Sequence, residues 1–549
     1  MTQSRPPMPT EPPSRQGSGG TGTTAFGPDG VTEPRMRFAP DTLRDGPSAE
    51  DRSFIGHPGG LPWMLQVEMW ERFSWFGMRA ILLYFLVDTI ANGGLGLSTT
   101  AGQVVVSAYG AAVLLMTIPG GIFADRILGP WMSTLVGGSI IMTGHVVLAI
   151  PMVATSWAGL ILIAVGTGFI KPNLSTVVGG LYDKDDPRRD TGFMYFYMSV
   201  NVGSLVAPFI VGALRHAFGY HIGFIAAAIG MALALISFWY GRKKLSTFAY
   251  TVPNPLKPGE GKKLLGLAAL IAVVATVLVV LFQMLLGELT SAIAWALFLF
   301  ALGTAAVYFL TMVKSPKVTA EERVHLGAFA PLWVGNVLFV LIFEQAAGKM
   351  ATFALEHTDR SVLGLFDLTP EAYQSFNPTF VLILAPILGW LFLKRQGRFP
   401  STAQKFAISL VIIGISALMM GYGFSAFPGG AALAPFWFLI AVFFVQTVAE
   451  LLMNPVGLSV TTKLAPRHFA SQTMTLWYLA PAVGMGLTSV VIQLMSGFSD
   501  GVYYAVLGGV TLLVSLGMFA IAPWVQSKMD DVETRHDETA DEEAVSVEG

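Results

Sequence analysis

From residue 63 to residue 526 the chain is a succession of fourteen apolar segments, the first at about 63–92 and the last at about 501–526. Each is near or above the roughly 20 residues that a helix needs to cross a bilayer. None shows the alternating pattern of a membrane barrel strand, so the sequence implies an all-α membrane protein. Only 12% of the residues are charged, against about 25% in a soluble domain. Cysteine is absent, which excludes disulfides, iron–sulfur clusters and thiolate metal sites. No cofactor, metal or nucleic-acid partner is expected.

Basic residues fall on one side of this path. Loops carrying Arg126, Lys184, Arg188, Arg189, Arg242 to Lys244, Lys314, Lys317, Arg323, Lys394, Arg395, Arg398, Lys405, Lys463, Arg467 and Lys528 alternate with loops that hold only Arg215 and Arg360. The excess of Lys and Arg marks the cytoplasmic side, so both termini are expected in the cytoplasm of a multi-pass protein of the cell membrane. Residues 1–60 are rich in Pro, Gly, Ser and Thr, and residues 528–549 are acidic. Both read as disordered tails.

The segments divide into a six-helix bundle at 61–244, a linker with two plain apolar helices at 245–322, and a second six-helix bundle at 323–527. The halves echo one another. Lys171-Pro172-Asn173 followed by Gly179 in the first half answers Asn454-Pro455 followed by Gly457 in the second. Proline-interrupted helices in matching positions point to a transporter with a midplane site.

Charges inside the apolar segments locate that site. The acids are Glu68, Glu71, Glu344 and Glu450, and the bases are Arg72, Arg79, Lys171 and Lys349. A charge at the bilayer centre costs about 2.5–3.5 kcal/mol on insertion scales, so such groups face a protein interior or a wet cavity and pair with one another. Glu68 and Arg72 are one turn apart, and Arg79 lies two turns further along the same face, with Trp75 and Phe76 between. This set is either an ion pair that holds helices together or a switch that closes when a carboxylate is ionised and opens when it is protonated. One charge moved through the membrane potential contributes about 2.3 kcal/mol per 100 mV. An enzyme would need a nucleophile–base pair or metal ligands within the spans, and neither is evident. Paired charges between mobile halves suit alternating access better than a channel.

Several motifs in order carry a resemblance. Glu68-x-x-Glu71-Arg72-Phe73, Gly120-Gly121-x-x-Ala124-Asp125-Arg126-x-x-Gly129, Gly166-Thr167-Gly168-x-x-Lys171-Pro172-Asn173-x-Ser175 and Phe196-Tyr197-x-x-x-Asn201-x-Gly203 occupy the first half. Phe343-Glu344-Gln345, Gln374-Ser375-x-Asn377-Pro378 and Glu450 ahead of Pro455-x-Gly457 occupy the second. Over most of 63–526 the chain resembles the proton-dependent oligopeptide transporter family of the major facilitator superfamily. The resemblance implies the major facilitator fold, with two extra helices as in bacterial members, and a symporter that imports di- and tripeptides with protons, expected as a monomer. It implies Glu68, Glu71 and Arg72 as a proton-coupling cluster, and a Lys171–Glu344 salt bridge between the halves. Arg79 and Lys171 would hold the peptide carboxylate, Glu450 and Asn377 its amino terminus, Asn201 its backbone, and Trp477 would line a side-chain pocket. Trp75 and Phe76 stand where the family signature usually has two tyrosines, and Leu114 where many members have a third. Lys349 stands where a small or hydroxyl residue is usual, as a rival to Lys171 for Glu344 or as a second anion-binding cation. Another small anion or zwitterion, such as nitrate or a peptide-like drug, is the alternative cargo.

Overall fold

The computed structural model describes residues 40, 50–183, 185–395, 400–430 and 432–548. Most of the 1–60 tail, Lys184 and Arg398 lie outside them. Among the described residues fourteen long helices follow the apolar segments: α1 Leu61–Val87, α2 Thr99–Phe123, α3 Pro130–Leu148, α4 Val153–Gly179, α5 Arg189–Phe218, α6 Tyr220–Gly241, α7 Glu260–Leu286, α8 Leu289–Lys314, α9 Ala320–Glu356, α10 Phe376–Arg395, α11 Thr402–Ala426, α12 Phe436–Leu464, α13 Ala470–Leu494 and α14 Asp500–Glu548. Thirteen are long and apolar enough to cross a membrane by composition alone. The exception is α1, because every membrane-length stretch of it holds at least three of Glu68, Glu71, Arg72 and Arg79. The last helix continues through the acidic segment expected as a tail, with Asp500–Asp531 its apolar part. A short hairpin of two-residue strands, β1 Ser361–Val362 and β2 Phe366–Asp367, pairs antiparallel in the α9–α10 loop, and isolated bridges join Phe54 to His57, Thr358 to Ala434 and Gly429 to Ala432.

Helix ends follow the local sequence. Thr319 and Ser401 start α9 and α11 with capping boxes to Glu322 and Gln404, satisfying backbone donors that would otherwise be orphaned. Midway along α9 the helix breaks. It tightens to a 3-10 turn over Glu344–Ala347, passes through Gly348 at φ −115°, ψ −110°, and restarts at Lys349.

Two cores result. One joins α1, α3, α4, α5 and α6, and the other joins α9 and α11–α14. The seam between them is interleaved. Val104, Ala108, Ala111 and Leu115 of α2 belong to the second core, while Ala347 and Ala351 of α9 belong to the first. The linker helices α7 and α8 lean on the second bundle through α8, whose Ala294, Ala301 and Ala305 are buried there; α7 has no buried residue.

Candidate functional site

Small residues set the depth of the charged groups. A Cβ on Gly168 would sit 2.2 Å from the Met116 carbonyl oxygen, so only glycine lets α4 rest on α2 there. Lys171 follows one turn later and is exposed, in the half of α4 nearer the basic loops. A lysine exposed at that depth, yet within electrostatic reach of Arg72, Glu71, Glu344 and Glu68, faces a chamber rather than lipid.

On α1, Glu68, Glu71 and Arg72 are all buried. Arg72 Nε lies 3.0 Å from Glu68 and 2.6 Å from Glu71. The angles leave Arg72 Nε and one Glu71 oxygen without a formed hydrogen bond, so the pairing is mainly coulombic. Two turns on, Arg79 forms an ion pair with Glu344 of α9 across the seam, and its guanidinium also approaches the Glu344 carbonyl oxygen at 3.4 Å. The expected Lys171–Glu344 salt bridge is therefore replaced by Arg79–Glu344. The 3-10 turn in α9 swings Glu344 towards α1, and among the described residues Lys171 forms no ion pair.

Lys349 is also not where either sequence alternative put it. It pairs with Asp500 at the start of α14, inside the second bundle. Neither rivalry with Lys171 nor a second anion site in the chamber survives, because the Lys349 ammonium is committed to Asp500 on the far side of the Gly348 break.

Across the chamber, Glu450 of α12 accepts from Asn377 Nδ2 at 2.8 Å and from Asn454 Nδ2 at 3.3 Å. Asn377 also donates to Thr447 at 3.0 Å. Glu450 has no cationic partner among the described residues. Tyr197 of α5 faces it from the first bundle. Asn201 turns its amide back to the Tyr197 carbonyl oxygen at 2.9 Å. Trp75 stacks on Tyr109 with centroids 6.0 Å apart and planes 21° apart, and Phe76 is half-buried beside it. Trp477 is buried rather than lining open space. It packs against Phe329 and Phe406 and fills the room left by Gly457, where a Cβ would sit 2.0 Å from the indole.

Sequence reasoning missed the closure. Tyr84 Oη donates to the Ala351 carbonyl oxygen at 3.0 Å, and Gln103 Nε2 donates to Thr352 Oγ1 at 2.9 Å. Arg215 Nε donates to Glu371 at 2.8 Å, in an ion pair flanked by the Tyr84 and Tyr220 rings. All of these lie in the half away from the basic loops. The available signal was Arg215 itself, one of two bases on the bare side, whose acidic partner on the other bundle went unsought. Lys171, Tyr197 and Asn454, in the other half, are exposed. The chamber is thus sealed at the bare end and open towards the basic end.

Comparison with known proteins adds an independent line. Residues 132–506 match the model of the POT family. A transporter of Bacillus subtilis (strain 168), YclF, named as uncharacterised, is 40% identical over 489 residues, covering 88% of this chain and 98% of its own length. A di-/tripeptide transporter of Lactococcus lactis subsp. lactis (strain IL1403) is 38% identical over 492 residues, with coverage of 88% and 98%. Among solved structures, a peptide transporter POT in complex with sulfate superposes with a TM-score of 0.80 at 38% identity, covering 87% of this chain and 97% of that one. A POT family transporter in complex with 5-aminolevulinic acid superposes with a TM-score of 0.82 at 32% identity, covering 88% and 100%.

Proposed function

The chain belongs to the POT family, and from that premise we propose that it is a proton-coupled symporter that imports di- and tripeptides by alternating access. One observation carries the substrate class. Lys171 on the first bundle and Glu450 on the second face one chamber, and neither forms an ion pair among the described residues. A zwitterion bound between them neutralises both. A lone anion such as nitrate would neutralise Lys171 and leave the half-buried Glu450 without a cation, which is costly where water is largely excluded. The relatives named di-/tripeptide transporters favour the same reading.

In this reading the peptide carboxylate lies against Lys171, and against Arg79 once Glu344 lets go. The amino terminus lies against Glu450, held in place by Asn377, with Asn201 beside the backbone and the Trp75 and Phe76 surfaces near the side chains. Protons reach Glu68, Glu71 and Glu344, whose neutralisation loosens Arg72 and Arg79. The basic loops and both termini face the cytoplasm, so the conformation seen here opens inward. The protein acts in the cell membrane as a monomer, with lipid as its surroundings and the peptide and protons as its cargo.

The test is uptake of dialanine by proteoliposomes with an inward proton gradient. Accumulation that collapses with a protonophore is expected. Uptake indifferent to the protonophore would remove the coupling, and thermal stabilisation by small anions but by no peptide would remove the substrate class.

A further inference from the structure

Lys349 is the first residue of the second segment of α9, where an ammonium opposes the helix dipole. It is nonetheless buried. Two groups of α14 hold it there: Asp500, which forms the ion pair, and Tyr503, whose ring centroid lies 4.6 Å from Nζ. The Tyr503 hydroxyl in turn accepts from Gln345 Nε2 at 2.9 Å, and the same amide donates to the Leu341 carbonyl oxygen at 3.0 Å. Gln345 is adjacent to Glu344 in the chain. The path Asp500–Lys349–Tyr503–Gln345 therefore pins both ends of the 344–348 turn to the start of α14.

Resting on the coupled-uptake reading above, we propose that Lys349 is a positioning residue for the coupling carboxylate. Anchored by Asp500 and Tyr503, it fixes the turn so that Glu344 meets Arg79. It touches neither peptide nor proton. Without the anchor the turn relaxes towards regular helix, and Glu344 rotates away from α1.

Two measurements decide it. Lys349→Met keeps the length of the side chain and leaves behind only Asp500, whose side chain is 34% exposed. In a double-mutant cycle read by Tm, the penalty of Glu344→Gln should at least halve in the Lys349→Met background, because the Arg79–Glu344 pair is already loosened; groups outside one network give additive changes. Additive penalties would overturn the proposal, and this readout needs no substrate, so it stands apart from the peptide reading. In transport, Lys349→Met should lower gradient-driven kcat about fivefold with KM nearly unchanged, on the scale of couplings carried through packed networks. Lys349→Arg should restore it, and Tyr503→Phe, which keeps the ring but removes the acceptor for Gln345, should reproduce part of the loss. A lowered Tm with wild-type kcat and KM would make Lys349 a structural group only. Wild-type protein without gradient-driven uptake would overturn the peptide reading while the cycle still judges the anchor.

Discussion

Arg79 and Glu344 are joined across the two bundles, first helix to ninth, by an ion pair that also draws in the Glu344 backbone carbonyl. The pair occupies the guanidinium that a substrate carboxylate would need. In the proposed mechanism, carboxylate binding and Glu344 ionisation compete for this one cation, and a proton on Glu344 resolves the competition in favour of the substrate. Such exclusion is the minimal physical basis for coupling two solutes through one seam.

Glu344→Gln should free Arg79 permanently. Gradient-driven uptake of dialanine is expected to fall by about tenfold or more, since ~1.4 kcal/mol of lost bias already shifts a two-state population tenfold. Peptide counterflow, which needs no net proton movement, should persist. Loss of both modes together would show that the pair holds the fold rather than the coupling.

Arg215 and Glu371 should keep the bare end shut. Glu371 is fully buried, and stripping a buried ion of its partner costs about 3–5 kcal/mol. Opening that end to water is the simplest relief. The chain has no cysteine, so Ala351→Cys, buried at the seal, provides a clean reporter. In an Arg215→Gln background, its labelling by a membrane-impermeant maleimide should accelerate by about tenfold or more. An unchanged rate would mean that the Tyr84 and Gln103 contacts suffice.

At the basic end, the segment before α1 docks on the α4–α5 loop. Phe54 and His57 form a backbone bridge, His57 Nδ1 lies 2.9 Å from the Tyr182 hydroxyl, and Arg188 donates to the Asp51 and Gly56 carbonyl oxygens. Burial, with the Arg188 guanidinium nearby, holds His57 below its usual 6.5. The undocked segment thus binds a proton more readily than the docked one. Docking strength is full above pH ~6.5 and declines as the pH falls through the window below it. Hydrogen-exchange protection factors of residues 50–60, referred to the intrinsic rate at each pH, should be lower at pH 5 than at pH 7.5, and His57→Gln should flatten the difference. Equal protection at both values would remove the His57 contribution.

Much of this arrangement was legible in the sequence for a definite reason. Charges in apolar segments are so costly that their presence marks the chamber, and Glu68, Glu71, Arg72, Arg79, Lys171, Glu344 and Glu450 all face it or each other. Partner choice was not legible. Glu344 sits in a four-residue 3-10 turn that ends at Gly348, and the groups that touch this turn from α14 are about 150 residues away in the chain. Lys349 was misplaced for the same cause, since Asp500 lies at a helix start where an acid needs no special explanation. Trp477 was expected at an open pocket because aromatic residues suit both cores and pockets, and only its Gly457 neighbour, on another helix, distinguishes them.

With Lys349 committed to Asp500, the chamber holds four acids, Glu68, Glu71, Glu344 and Glu450, against three bases, Arg72, Arg79 and Lys171. Among the described residues Glu450 has no cationic partner and is held by the amides of Asn377 and Asn454. In the proposed function it receives the substrate ammonium. Glu450→Gln keeps the shape and removes the charge, so it deletes a charge-assisted hydrogen bond of ~1.5–3 kcal/mol, and KM for dialanine should rise roughly ten- to hundredfold. Asn377→Ala should raise it less, because that amide orients the carboxylate without carrying charge. N-acetylated dialanine, which lacks the ammonium, should bind wild type poorly and be indifferent to Glu450→Gln. If the acetylated and free peptides suffered equally from the substitution, Glu450 would be acting on the protein's own charges rather than on the amino terminus of the cargo.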